Sequence, residues 1–205
     1  MGNKELFTKI YKGNLWNGVE SRSGVGSDKK AVAYVKVGIA RVIAATACKT
    51  ILDCACGDFN WMQDLVKEFP HIKYTGVDVV EEMIAENKKK YSAKNVEFKC
   101  MDITTDPLPK ADLVICRDCL VHLSFQDIEN FLSNFLRSGS SFLLTTSFGD
   151  RKNVEVPNNQ TRWRTVSLQK PPFNLPAPMM SFNEKADQPY CDKSLYLYRR
   201  EQLDK

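Results

Sequence analysis

A regular alternation of short apolar segments and amphipathic segments between residues 50 and 147 is the feature that most constrains the fold. The predicted strands are 50–54, 73–77, 96–101, 112–116 and 141–147. The predicted helices are 61–69, 81–91 and 126–137. This alternation indicates an α/β fold, with a doubly wound, mostly parallel sheet and helices on both faces. In such sheets ligands bind beyond the carboxyl ends of the strands, where the strand order reverses.

The segments on either side of this core have less regular patterns. Residues 1–27 are mixed and polar, and we interpret them as an arm that closes over a ligand. Helical periodicity covers 28–47, with Ser27 or Asp28 as its cap, and opens a core that extends to residue 148. Residues 149–190 hold six of the nine prolines and one weak strand signal at 164–168, as in a substrate-side loop or lid. Alternation at 194–199 predicts a terminal strand within 191–205, and the whole chain is predicted to be one domain.

Charge and cysteine content restrict the class of protein. A net charge of +4 is too small to indicate nucleic-acid binding by itself, so a nucleic-acid partner is not expected. No apolar stretch is long and uncharged enough to span a membrane, and the first ten residues lack the apolar centre of a secretion signal. Seven cysteines, an odd number, fit reduced thiols better than a disulfide framework. We therefore expect an intracellular, cytoplasmic protein.

An aspartate stands at or just after the end of each of the first three predicted strands: Asp53, Asp78 and Asp102. After Asp53, the small residues Ala55 and Gly57 let a ligand approach the backbone closely. Asp78 lies about 25 residues further on, near the spacing at which an acid accepts both ribose hydroxyls of a nucleoside. The alternatives are a tight strand-to-helix turn and aspartates that merely cap helices. Because an aspartate ends three consecutive strands, a ligand site is favoured over these alternatives.

These segments resemble class I S-adenosylmethionine-dependent methyltransferases over roughly residues 28–148. The resemblance implies that S-adenosylmethionine binds here, with Asp53 near its methionine amino group, Asp78 on its ribose and Asp102 on its adenine amino group. The remaining residues that the resemblance assigns to the cofactor are Trp16, Ser23, Gly24, Ala55, Gly57, Val79, Met83, Ile103 and Arg117. The chain departs from the family pattern at Ala55 and Phe59, where glycine is usual.

The segment after the fourth strand, 116–125, carries the candidate catalytic residues. Asp118 and His122 are four residues apart and would share one face of a helix. A carboxylate that orients an imidazole suits removal of a hydroxyl proton during methyl transfer. The alternative is that His122 only lines the pocket. Adenine-N6 and related amino methyltransferases carry an Asp/Asn-Pro-Pro-aromatic tetrad here, which this chain lacks, so an oxygen acceptor is favoured.

A narrower resemblance extends over 21–27, 116–125, 162–178 and 192–199. It is to methyltransferase domains associated with glycosyltransferases, including those of large viruses that infect algae. It implies O-methylation of a sugar hydroxyl on a glycan, with rhamnose as one option, by a chain fused to or working with glycosyltransferase domains. For a viral protein the location would be the host cytoplasm. Trp163, Arg164 and Lys193 would contact the sugar, and Trp16, Arg162 and Phe173 are further candidates.

Several alternatives remain open from the sequence. Zinc held by Cys54, Cys56, Cys116 and Cys119 is disfavoured because a one-residue spacing at a strand end chelates poorly. A divalent metal on Asp118 and other carboxylates is a second option. The lysine run 88–90 would suit an RNA methyltransferase, although such runs are usually solvated faces. A small-molecule acceptor on the same fold, or a silent nucleoside- or partner-binding module, is also compatible with the altered glycine pattern.

Overall fold

The computed structural model describes residues 2–159 and 161–204. Its helices are α1 (Asn3–Gly13), α2 (Ala33–Thr46), α3 (Met62–Glu68), α4 (Glu81–Tyr91), α5 (Phe125–Ser138) and α6 (Arg200–Leu203), with 3₁₀ turns at Val25–Ser27 and Leu120–His122. Its strands are β1 (Thr50–Cys54), β2 (Lys73–Asp78), β3 (Val96–Cys100), β4 (Leu113–Cys116), β5 (Phe142–Ser147), β6 (Met180–Asn183) and β7 (Ser194–Arg199).

The strands form one seven-stranded sheet in the order β3-β2-β1-β4-β5-β7-β6. Strands β1 to β5 are parallel, and β7 pairs antiparallel with both β5 and β6. The chain runs from β1 outward to β3 and then returns to place β4 beside β1. The strand order therefore reverses between β1 and β4, which confirms the predicted doubly wound, mostly parallel sheet and locates its ligand-binding crevice.

Two apolar cores lie on opposite faces of the sheet. One contains the buried side chains of α2 and α3, and the other contains those of α5. Adjacent strand residues alternate between the cores: Leu144 packs into the first and Leu143 into the second. Because both faces are covered, β4 is buried along its whole length, as its apolar sequence requires.

The structure corrects several sequence-based boundaries. The helix predicted over 28–47 begins at Ala33, and its N-cap is Val32 rather than Ser27 or Asp28, which lie at a 3₁₀ turn. Residues 164–168 form no strand, whereas Met180–Asn183, inside the predicted loop, form an edge strand on β7. The polar N-terminal arm contains α1, and the C-terminal segment contains α6.

Helix α1 lies against α4 through contacts that the sequence did not reveal. Leu6 and Ile10 are its buried residues. Lys4 pairs with Glu81 at 3.1 Å across a solvent-exposed surface. Exposed ion pairs contribute little to stability, so we expect the burial of Leu6 and Ile10 to stabilise α1 more than this pair does. None of the helices in the described part of the chain is long and apolar enough to cross a membrane.

Candidate active site

A cavity of about 450 Å³ opens at the carboxyl ends of the parallel strands, at the reversal of strand order. Residues from the N-terminal region, from the turns after β1 to β4 and from the segment before β7 line it together. The predicted site residues that it brings together are Trp16, Ser23, Gly24, Ala55, Gly57, Asp78, Val79, Met83, Asp102, Ile103, Arg117, Asp118, His122, Trp163 and Lys193. Asp53 and Arg164 do not line it.

Asp78 and Gly57 form the centre of one end of the cavity. The Asp78 carboxylate accepts hydrogen bonds from the backbone N–H groups of Gly57 at 3.2 Å and Val80 at 3.0 Å. Burial raises the pKa of Asp78 to about 6, although these backbone donors oppose the shift. Gly57 has a φ of 59°, and a Cβ there would lie 2.1 Å from the Ser23 hydroxyl oxygen. Only glycine fits, and its backbone remains open to a ligand.

The turn after β3 adds a second carboxylate to this end. Asp102 Oδ1 accepts hydrogen bonds from the backbone N–H and the hydroxyl of Thr104, at 2.9 and 2.6 Å. Apolar side chains surround it on the cavity wall: Val79, Val80, Met83, Met101 and Ile103. A flat, nitrogen-rich ring fits between such walls with a carboxylate at its edge.

Asp53 does not reach this cavity, contrary to its predicted place beside the methionine group. It is buried at the end of β1, where the Tyr74 hydroxyl donates to its carboxylate at 2.6 Å. Burial raises the pKa of Asp53 to about 7. The carboxylate is therefore held by Tyr74 rather than presented to the cavity.

Ala55 and Phe59, which stand where the family pattern has glycine, adopt a backbone conformation that favours glycine. Ala55 and Phe59 have φ values of 62° and 59°, a region that side chains rarely adopt and that costs roughly 1–2 kcal/mol each. The Phe59 ring does not turn towards the cavity. It packs against Tyr74 at 5.1 Å and against Phe98 at 5.1 Å, between ring centroids. This aromatic packing offsets the backbone strain at Phe59.

The N-terminal region covers the end of the cavity near Gly57 through Asp58, a residue that the sequence pattern did not single out. Its carboxylate accepts hydrogen bonds from the Ser21 hydroxyl at 2.8 Å and the Arg22 backbone N–H at 2.8 Å, and from the Ser23 hydroxyl at 3.4 Å. The link places Ser23 over Gly57. Trp16 closes the other side, where its indole N–H donates to the backbone oxygen of Thr161 at 3.3 Å.

Asp118 and His122 do not form the predicted carboxylate–imidazole pair. Asp118 adopts a φ of 57° before the 3₁₀ turn, so the two residues share no helical face. His122 Nδ1 instead lies 3.1 Å from the backbone oxygens of both Thr161 and Arg162. Its ring stacks on Trp16 with centroids 4.6 Å apart. Backbone carbonyls, rather than a carboxylate, orient this imidazole.

Asp118 belongs instead to a cluster of four charged side chains, which we call the ion cluster: Arg117, Asp118, Glu184 and Lys193. Lys193 Nζ donates to Asp118 Oδ2 at 2.6 Å, and Arg117 Nη2 to Glu184 Oε2 at 2.7 Å. Burial alone would raise the pKa of Asp118, but Lys193 and Arg117 outweigh it and hold that pKa well below its usual range. Arg117 Nη1 also donates to the backbone oxygen of Gly26 at 2.6 Å.

The predicted sugar-contacting residues divide into two groups. Trp163 lines the cavity and packs edge-on against Tyr190, with ring centroids 4.9 Å apart. Arg164 is buried away from it and donates to the backbone oxygens of Leu120 at 2.7 Å and Leu123 at 2.6 Å. Arg164 therefore holds the 3₁₀ turn that carries His122, and its prediction as a ligand donor was wrong. Phe173 packs on Phe125 and anchors the long loop.

The structure offers no support for a resident metal ion. In residues 2–159 and 161–204, no three His, Cys, Asp or Glu side chains are grouped so that they could hold one. Cys54, Cys56, Cys116 and Cys119 are buried free thiols. The charged partners of Asp118 are Lys193 and Arg117, which occupy the place that a cation would take.

Comparisons with known proteins identify the domain around this cavity. A family model described as a methyltransferase domain matches residues 51–139. A malonyl-[acyl-carrier protein] O-methyltransferase from Bacillus cereus is 29% identical over 160 residues, which cover 76% of this chain and 57% of that protein. The enzyme of the same name from Paenibacillus sp. is 27% identical over 114 residues, 52% of this chain and 41% of that protein. The chain thus spans about half the length of these curated relatives.

Solved structures show the same fold. Magnesium protoporphyrin IX methyltransferase from Synechocystis PCC 6803, solved with bound S-adenosylmethionine, has a TM-score of 0.66 and 15% sequence identity, and the match covers 98% of both chains. At that identity the likeness concerns the fold alone. The family match adds the type of domain. Residues 51–139 therefore match a methyltransferase-domain model, and the sheet that contains them has the class I methyltransferase fold.

Proposed function

We propose that this chain transfers a methyl group from S-adenosylmethionine to a neutral hydroxyl group, with His122 as the base that receives the hydroxyl proton. The orientation of His122 carries this proposal. A backbone carbonyl oxygen can only accept a hydrogen bond, and Nδ1 lies 3.1 Å from two of them, so Nδ1 bears the proton. Nε2 is then the unprotonated nitrogen of the neutral ring. Burial lowers the pKa of His122, which keeps the ring neutral near pH 7.

The cofactor is proposed to occupy the end of the cavity near Gly57, with its adenosine held by the two open carboxylates. Asp78 accepts hydrogen bonds from the ribose hydroxyls, and Asp102 accepts one from the adenine amino group. Val79, Met83 and Ile103 contact the ring. The remaining proposed contacts are with Trp16, Ser23, Gly24, Ala55, Gly57 and Arg117. S-adenosylmethionine supplies an electrophilic methyl group on a sulfonium, so the protein's contribution is mainly positioning and proton removal.

The acceptor is proposed to lie between Trp16, Trp163 and His122. Indole faces suit the apolar faces of a sugar ring, which favours a sugar hydroxyl of a glycan, including rhamnose, as the acceptor. The named activity of the two curated relatives makes a carboxylate on an acyl-carrier protein the second candidate. The ion cluster favours the neutral acceptor, because each cation in it is already paired with an acid.

The test replaces His122 by Asn, which retains an N–H near the Nδ1 position but removes Nε2. Labelled S-adenosylmethionine is incubated with rhamnose-containing glycans and with malonyl-loaded carrier protein, and products are read by mass spectrometry. Turnover of the hydroxyl acceptor should fall by roughly 10²- to 10⁴-fold in H122N, while the affinity for S-adenosylhomocysteine stays unchanged. A carboxylate acceptor needs no proton removed at pH 7, so its methylation would be insensitive to the change.

The other histidine of the chain supplies the matched control. His71 is exposed in the turn before β2, so H71N makes the same chemical change away from the cavity. Normal turnover in H122N on a hydroxyl acceptor would refute the proposed base. Failure of the wild-type chain to bind S-adenosylhomocysteine would refute the proposed activity as a whole.

A further inference from the structure

Glu184 lies behind the cavity rather than in its wall. It follows the edge strand β6, its side chain is 2% exposed, and it does not line the cavity. Its Oε2 atom is 2.7 Å from Arg117 Nη2 and 3.5 Å from Lys193 Nζ, and both of these cations do line the cavity. One buried carboxylate thus contacts both cations from the side opposite the ligand space.

The charges of the ion cluster balance. Arg117 and Lys193 contribute two positive charges, and Asp118 and Glu184 contribute two negative charges. A carboxylate that entered from the cavity would add an uncompensated negative charge in a poorly hydrated place, which is unfavourable. A neutral hydroxyl keeps the balance. The cluster would therefore distinguish acceptors by their charge, independently of their shape.

Thr146 holds Glu184 in this position. The Thr146 hydroxyl lies 3.4 Å from Glu184 Oε1 and also accepts the backbone N–H of Asp118 at 2.9 Å. The acid is therefore fixed from β5 as well as from the two cations. A rigidly placed buried charge cannot move away when a charged ligand approaches, so its effect on ligand binding persists.

We propose that Glu184 determines acceptor specificity by neutralising Arg117 and Lys193, so that the cavity accepts a neutral hydroxyl compound and excludes a carboxylate. This inference rests on the proposed function, because it assumes that the acceptor lies beside these cations. Glu184 touches no reacting atom in this arrangement and acts through Arg117 and Lys193. Asp118, by contrast, lines the cavity itself.

The test uses E184Q, which preserves shape and removes one negative charge. Malonate, a small dicarboxylate probe, is titrated by calorimetry into the full chain saturated with S-adenosylhomocysteine. We expect E184Q to bind malonate at least about tenfold more tightly than the wild type, because the cluster then carries an unpaired positive charge. The double variant E184Q/K193M should lose this gain. Such a pattern depends on charge, and a purely structural role of Glu184 would not produce it.

The matched control is E97Q, since Glu97 is a glutamate paired with Lys99 on β3, away from the cavity. Equal malonate affinity in E184Q and wild type, or an equal gain in E97Q, would overturn the inference. If E184Q does not fold, E184D decides, because its shorter carboxylate retreats from Lys193 and should give a smaller gain in the same direction. Wild-type chain that fails to bind S-adenosylhomocysteine would instead indicate failure of the proposed function.

Discussion

The two ends of the cavity are built in different ways. At the end near Gly57, which we propose as the cofactor end, carboxylates come from turns that directly follow β2 and β3, and Asp78 and Asp102 accept hydrogen bonds from backbone and hydroxyl groups of the first three βα turns. At the acceptor end, Asp118 meets Lys193, a residue 75 positions away along the chain. The carboxylates of the first end thus come from consecutive βα units, whereas the charged pairs of the second end join segments far apart in the chain.

The two ends of the cavity also differ in whether their charged groups are paired. The cofactor-end carboxylates have no cationic partner in the described part of the chain, so they are available to hydroxyl and amino groups of a ligand. The acceptor-end charges already neutralise one another. A buried carboxylate without a counter-ion is unfavourable for the folded chain and favourable for a ligand that donates hydrogen bonds to it. From this difference we expect the first end to supply most of the binding energy for a ligand and the second end to select among acceptors.

The largest expected effect is on the affinity for S-adenosylhomocysteine, which a change at one end should alter and a change at the other end should not. Replacing Asp78 by Ala should weaken S-adenosylhomocysteine binding by about 100-fold, because hydrogen bonds to a charged acceptor contribute roughly 1.5–3 kcal/mol. The same titration on W163A should show little change, since Trp163 lies at the acceptor end. Isothermal calorimetry measures both. Similar losses in the two variants would mean that the ends are not separate sites.

A pH titration gives the next largest effect. Asp78 must be ionised to accept ribose hydroxyls, and its pKa is about 6, so S-adenosylhomocysteine should bind roughly tenfold more weakly at pH 5 than at pH 7. The stability of the unliganded chain moves in the opposite direction. Because burial raises this pKa above its unfolded value, the contribution of Asp78 is greatest at low pH and is lost as the pH rises through about 6.

Calorimetry at pH 5, 6 and 7 measures the change in affinity. Thermal unfolding of the unliganded chain in the same buffers measures the change in stability. In D78N the pH dependence of binding should flatten. Asp118 should contribute nothing in this range, because its pKa lies well below it. An equal pH dependence in wild type and D78N would assign the titration to another group.

The difference between local and long-range contacts also explains which features the sequence could predict. Strand β1 and helix α4 were predicted at their observed bounds, because strand alternation and helical periodicity are local signals. Asp78 followed from its spacing along two βα units. Strand β6 and Glu184 were missed, because an exposed edge strand becomes visible only through its pairing with β7. The orientation of His122 was also mispredicted, because its partners are backbone oxygens about 40 residues away.

The smallest expected effect concerns Asp58, which links the N-terminal region to the cofactor end. Asp58 fixes the segment that holds Ser23 above Gly57, and Asn in its place keeps one acceptor oxygen but loses the charge. S-adenosylhomocysteine binding to D58N should weaken by about fivefold, as expected for partial loss of a few hydrogen bonds. The loss should appear as faster dissociation, measured by stopped-flow fluorescence of Trp16, since the cover opens more readily. D64N, a similar change on α3, should leave the rate unaltered. A slower association with unchanged dissociation would contradict a covering role for this segment, and the cofactor end would then be set by its local turns alone.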